Sequence, residues 1–239
     1  MTTLAAATWG EIEGVRKTFA EQCSSVQVGA QLFADSLRRD FPSIVLGRVF
    51  LVLPFAKLSA ADQAIARRES ANDPRVIDST SILTLLGTSG VEAAWCSRTT
   101  SAGHRVIPLI DETQVRRAPM ITALLSHFDV DLKRLGTTGG IAPKAMLGGL
   151  NGKFFVPDAI TAKDDAGRHV IPSREFVERY KVRSVFGMGG SYVDRTLVAA
   201  VFFTSELLTE LEVSKFPSLI SAVKMATADA YAHTAIYES

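Results

Sequence analysis

Glu92, Trp95, Arg98, Thr99, Ser101 and His104 fall within 13 consecutive positions that follow neither a helical nor a strand period. A flat indole, a guanidinium, hydroxyls and an imidazole in one irregular segment are the parts of a polar small-molecule pocket. Trp95, Arg98, Thr99, Ser101 and His104 are therefore the candidate ligand-binding residues. The same residues also fit a second reading, in which Trp95 plugs the edge of the core while Arg98 and His104 brace the loop by hydrogen bonds. Cys96 with His104 combines a nucleophile and a base, but no positioned third group accompanies them.

Other catalytic patterns are missing. The sequence has no phosphate loop ending in Gly-Lys-Ser/Thr, no His-Glu-x-x-His, no Gly-x-Ser-x-Gly and no Cys-x-x-Cys. His104, His127, His169 and His233 stand far apart, without metal-ligand spacing, so no metal ligand and no catalytic residue is assigned and no cofactor is identified. Haem held through one histidine stays open. The run Gly187-Met-Gly-Gly190 follows an apolar stretch but leads into another one, so it reads as a hairpin turn rather than a dinucleotide site.

With 26 Lys plus Arg against 25 Asp plus Glu and 47% hydrophobic residues, the composition is that of a globular domain. It excludes a polybasic nucleic-acid binder and an acidic disordered chain. Two cysteines, Cys23 and Cys96, cannot build a disulfide framework, and a reducing cytoplasm is expected. The apolar stretch Ile44 to Leu58 carries Arg48, Pro54 and Lys57, so no membrane span is expected there.

The elements that must hold the segment are readable on both sides of it. Thr8-Trp-Gly-Glu11 fits a capping box, and apolar or small residues from Ile12 to Leu37 keep steps of three and four, predicting one long helix over residues 1–41. Ile44 to Pro54 reads as a central strand, and Ser59 starts a short helix. Ser81 to Leu86 reads as a strand closed by a turn at Gly87–Gly90, and Arg105 to Leu109 as a short edge strand. A helix broken at Pro119 covers Asp111 to Phe128. The glycine-rich Leu135 to Gly152 reads as a loop, mobile or wrapped over a pocket. Gly152–Pro157 follows as a strand and Ser173–Tyr180 as a short helix; Val182–Met188 and Thr196–Thr204 form a hairpin. A closing helix spans Ser214 to His233. Seven residues between the last two strands are too few for a helical crossover, so an α+β fold with an antiparallel sheet is expected rather than a parallel one.

Leu83-Thr-Leu-Leu-Gly-Thr88, Trp95, Arg98, Gly103-His104 and Ile107-Pro-Leu109 together resemble a sensory module found ahead of bacterial histidine kinases. The likeness extends to Arg117-Ala-Pro-Met-Ile121, Phe154-Phe-Val-Pro157, Ile171-Pro172, Glu175-Phe-Val177 and Val182 to Gly190. The module is of the GAF/PAS class. The resemblance implies an antiparallel sheet flanked by helices, a small-molecule or protein input and an output elsewhere. Where an Asn-Asp pair is expected after the tryptophan, this sequence has Cys96-Ser97. GAF-type folds include a methionine-sulfoxide reductase, whose chemistry needs a set of resolving cysteines.

The expectation is a single GAF-like domain over residues 1–239, with an N-terminal helix (1–41), sheet and pocket (44–213) and C-terminal helix (214–239). As no kinase, receiver or DNA-binding segment follows the closing helix, a free-standing module is expected. It would be a non-enzymatic cytoplasmic sensor, homodimeric through its terminal helices, that relays ligand occupancy to a histidine kinase or another signalling protein. It would contact neither nucleic acid nor membrane. The rivals are a thiol- or His-dependent enzyme or redox sensor using Cys96 or His104 in the same pocket, and a scaffold with no ligand.

Overall fold

Alternating side chains along residues 44–54 set up the whole molecule. This strand, β1 (Ile44–Pro54), sends Val49, Leu51 and Leu53 to one face and Leu46, Phe50 and Val52 to the other, all buried. A strand apolar on both sides needs a cover on both sides. The computed structural model describes residues 2–19, 21–101, 103–136 and 152–238. Most of the glycine-rich loop expected at Leu135–Gly152 lies outside the described residues.

The other strands are β2 (Ser81–Gly90), β3 (Val106–Pro108), β4 (Gly152–Val156), β5 (Ser184–Ser191) and β6 (Leu197–Thr204). They form one sheet in the order β3-β2-β1-β6-β5-β4, and every adjacent pair is antiparallel. The helices are α1 (Trp9–Lys17), α2 (Val26–Asp40), α3 (Ala60–Glu69), α4 (Glu112–Val115), α5 (Pro119–His127), α6 (Arg174–Arg179), α7 (Glu210–Val213), α8 (Leu219–Ala226) and α9 (Ala228–Ala232). The architecture is α+β, an antiparallel sheet flanked by helices.

The terminal helices are shorter than the hydrophobic period predicts. The single N-terminal helix is two, because Ser25 caps α2 by accepting from the Val28 N–H at 3.1 Å. A seryl oxygen at that point starts a new helix more readily than it continues an old one. The capping box is present as expected, with Thr8 and Glu11 satisfying each other's backbone donors at the start of α1. At the other end, the helix expected over Ser214–His233 is divided into α8 and α9, preceded by the separate turn α7. Pro217, lacking an N–H, separates α7 from α8, and Thr227 turns its hydroxyl back to the Val223 carbonyl between α8 and α9.

Two expected turns are strand instead. β2 runs through Gly87 to Gly90, and β5 runs through Gly187–Gly190. Gly87 is required by contact: a Cβ there would sit 2.3 Å from the Ala30 backbone, so its absence lets α2 lie directly on β2. The actual β5–β6 turn is Tyr192 to Thr196, closed by the Tyr192 N–H to the Thr196 carbonyl at 3.0 Å.

Two apolar layers result. On one face α1, α2, α3 and α8 cover Phe33, Phe186, Phe202 and Phe216. These rings meet in edge, stacked and tilted pairs 5.1–5.8 Å apart, an arrangement worth about 0.5–1.5 kcal/mol per pair beyond the area buried. On the other face α5, α6 and their loops cover Leu46, Phe50, Leu124, Phe154 and Phe203. No helix among the described residues is long and apolar enough to cross a membrane.

Candidate functional site

The second face is not packed solid. A cavity of about 330 Å³ lies over β1 and β6, floored by Leu46, Arg48, Phe50, Val201 and Phe203. Met120, Ile121 and Leu124 of α5 form one wall; Ile171, Pro172, Ser173 and Phe176 form another. The strap between β2 and β3 supplies Trp95 and His104.

Trp95 is placed by its neighbours. Its ring meets Phe176 and Tyr180 at 5.7 and 4.8 Å between centroids, and Phe176 in turn meets Phe203 at 5.3 Å. A Cβ on Gly90 would fall 2.8 Å from Trp95 Cβ, so the end of β2 must be glycine for the indole to lie there. The Tyr180 hydroxyl donates to Glu92 at 2.6 Å and ties the strap to α6. The Thr88 hydroxyl donates to the Trp95 carbonyl at 2.9 Å and ties it to β2.

Among the described residues that line the cavity, Arg48 is the one with a permanent charge. Strand alternation puts it on the same face as Leu46 and Phe50, and its Nη2 and Nη1 donate to Ser101 Oγ at 3.1 Å and to the Gly103 carbonyl at 3.2 Å. Burial pushes its guanidinium pKa down to about 10, which still leaves it charged at neutral pH. His104 takes a left-handed backbone, φ 57°. Desolvation of its ring, and secondly the Arg48 charge, hold the imidazole below the usual histidine range, although part of the residue faces solvent. Among the described residues that line it, the cavity therefore holds one guanidinium and an imidazole that takes up a proton less readily than a free histidine.

The sequence-predicted residues divide between two places. Trp95 and His104 line the cavity, and Ser101, buried, holds Arg48 from behind. Arg98 and Thr99 do not line it; they border a separate groove with Gln27, Gln31, Cys96 and Glu238. Arg98 is only 7% exposed, donates from Nε to the Leu85 carbonyl at 2.8 Å and pairs through Nη2 with Asp62 Oδ2 at 2.5 Å. Arg105 approaches the other oxygen of the same carboxylate at 3.0 Å, and Asp62 itself is fully buried. The Arg98 guanidinium lies over the Tyr237 ring at 5.0 Å. One strap thus reaches the cavity with Trp95 and His104 and the last residues of the described chain with Arg98.

Cys96 and His104 border different hollows, and the Cys96 thiol faces the Gly90 and Glu92 carbonyls. No group of three or more His, Cys, Asp or Glu among the described residues is arranged to hold a metal. Arg48, Met120, Ile121 and Leu124 of α5 and Phe176 of α6 are the site residues that sequence reasoning missed. The signal for Arg48 was a lone guanidinium in the middle of a strand otherwise apolar on both faces.

No protein-family model matches the chain, and no curated protein matches it. Solved structures do. The GAF domain of a phosphoenolpyruvate-protein phosphotransferase from Coxiella burnetii is 10% identical, with 96% of this chain and all of that one covered at a TM-score of 0.52. Free methionine-R-sulfoxide reductase from Neisseria meningitidis, solved with its substrate, is 12% identical over 96% of this chain and 93% of that one at 0.49. The GAF domain of the Acinetobacter phosphotransferase is 11% identical over 93% of each chain at 0.46. At such identities the likeness concerns fold alone, and the fold assignment rests on the first of the three. The six-stranded antiparallel sheet, covered by helices on both faces, has the fold of a GAF domain.

Proposed function

We propose that this chain is a non-enzymatic sensory domain that binds a small molecule in the cavity and passes occupancy to a signalling partner. The observation that carries the reading is the cavity of about 330 Å³ roofed by a strap whose other end grips Asp62 and Tyr237. Ordinary interiors are packed to crystal-like density, so a hollow of this size between sheet and helices supports a ligand there. A ligand that draws Trp95 and His104 inward acts on the same segment that holds Arg98. It shifts the balance between two strap positions only by its differential affinity for them. The tail beyond α9 is hydrogen-bonded to the start of α2, by Val26 N–H to the Ala235 carbonyl and Gln27 N–H to the Ile236 carbonyl, so a strap movement reaches that tail and the start of α2.

Cytoplasmic placement and a homodimer through the terminal helices belong to the same proposal. The dimer is supported by the exposed apolar side chains of Trp9 on α1 and Met225 on α8. A monomer in sedimentation at high micromolar protein would remove it. Nothing favours the thiol-enzyme reading, because Cys96 lies outside the cavity.

The test of the reading is native mass spectrometry of the protein purified from its own host, beside Ala118→Trp, which plugs the cavity at its half-buried rim. A small molecule retained by the wild type and lost from the variant supports it. Hydrogen exchange in residues 234–238 must then differ between loaded and empty protein. If neither protein retains a mass and the variant melts above the wild type, the hollow is a packing defect and the reading fails.

A further inference from the structure

Resting on that reading, we propose that the ligand is a small organic anion, an aromatic or medium-chain carboxylic acid, with its carboxylate at Arg48 and its apolar body along Phe50, Leu124, Phe176 and Phe203. Among the described residues that line it, the wall is apolar apart from Arg48, His104, Ser173 and the Trp95 indole, and none of them is Asp or Glu. A positive charge in such a wall attracts an anion through the charge itself, in a medium far less screening than water. Arg48 keeps its bonds to Ser101 and Gly103, and those bonds fix the direction of its planar fork. An ammonium ligand meets repulsion at the same place. A sugar or a free nucleotide would leave most of its polar groups against Phe and Leu, where each lacks a partner.

Size narrows the class. At roughly 30 Å³ per water-sized unit, the cavity of about 330 Å³ holds on the order of eleven non-hydrogen atoms. That matches a phenyl-substituted short acid or an eight- to ten-carbon chain. The rings of Phe176, Phe203 and Trp95 lie near one another, which favours a flat body.

The test compares matched pairs by calorimetry on the full chain: 4-phenylbutyrate against 4-phenylbutyramide, and octanoate against octanamide. In the wild type the acids are expected to bind about 10- to 100-fold more tightly than their amides, the range for a hydrogen bond to a charged group. In Arg48→Met that preference should fall below about threefold while amide binding persists, which also shows that the variant has folded; Arg48→Lys, keeping the charge, should retain part of it. Equal binding of acids and amides by the wild type overturns the anion inference and leaves the cavity reading standing. Binding of none of the four at millimolar concentration also overturns it. The cavity reading is then judged separately, by the mass retained from the host and its loss in Ala118→Trp.

Discussion

Replacing Asp62 by Asn removes the charge on which the strap is anchored. The carboxylate is fully buried, receives Arg98 Nη2 at 2.5 Å and has Arg105 Nε at 3.0 Å. Arg98 is itself buried, so Asp62→Asn leaves one desolvated guanidinium and part of a second facing a neutral amide. Breaking a buried pair in this way is destabilising by about 3–5 kcal/mol, because the surviving charge stays out of water. For 239 residues, at ~2.1 cal/mol/K per residue, the unfolding entropy near the midpoint is about 0.5 kcal/mol/K. The expected fall in Tm is therefore about 6–10 °C. Urea unfolding should show a lower midpoint with an unchanged slope, since the surface exposed on unfolding is the same. The double variant Asp62→Asn/Arg98→Met should recover part of the loss, because it withdraws the orphaned charge, and a double-mutant cycle measures that coupling. Hydrogen exchange in residues 91–101 should quicken in Asp62→Asn and slow again in the double variant. A drop of less than about 1 kcal/mol, or losses that simply add in the cycle, would refute the assignment of Asp62 as the strap's anchor.

Three further outcomes follow from the same geometry. Because the folded state holds His104 below its ordinary value, stability should decline as pH falls from about 6.5 towards that lower value; His104→Asn, tolerated at φ 57°, should flatten this limb of the melting profile. All four tyrosines are held above the usual value, Tyr192 and Tyr237 at about 12 through burial, so absorbance at tyrosinate wavelengths should rise only well above pH 10. Since unfolded tyrosines ionise near 10, stability should be full below that pH and drain away above it. Gly87→Ala drives a methyl to within 2.3 Å of the Ala30 backbone and should lower stability by at least about 2 kcal/mol in urea titration; a neutral result would show that α2 does not rest on β2 at that point.

The parts of the fold that were legible came from strong local patterns. Ile44–Pro54 announced itself by β-branched residues, Ser59 by a helix-capping hydroxyl, and the β5–β6 hairpin by a connection too short for a crossover. Gly87–Gly90 misled because a glycine permitting close helix–sheet contact is spelled like a glycine permitting a turn. The N-terminal helix misled because the apolar face continues through Cys23 and Val26 while the backbone breaks at Ser25. Within the site, Trp95, Ser101 and His104 were legible because unusual residue types cluster there. Arg98 was grouped with them, yet its partner Asp62 lies 36 residues upstream, a distance across which spacing carries no signal. Met120, Leu124 and Phe176 read as ordinary amphipathic faces, and only tertiary placement separates a cavity wall from a filled core.

The division of the apolar residues into two layers by a continuous sheet has a consequence for how this domain can change. Phe33, Phe186, Phe202 and Phe216 hold the first layer without touching the hollow in the second. Substitutions at Leu124 or Val201 can therefore reshape the hollow, while the aromatic layer behind the sheet keeps the chain folded. Changes placed on opposite sides, with no shared partner, should combine additively. Such a scaffold can have the shape of its hollow altered one residue at a time.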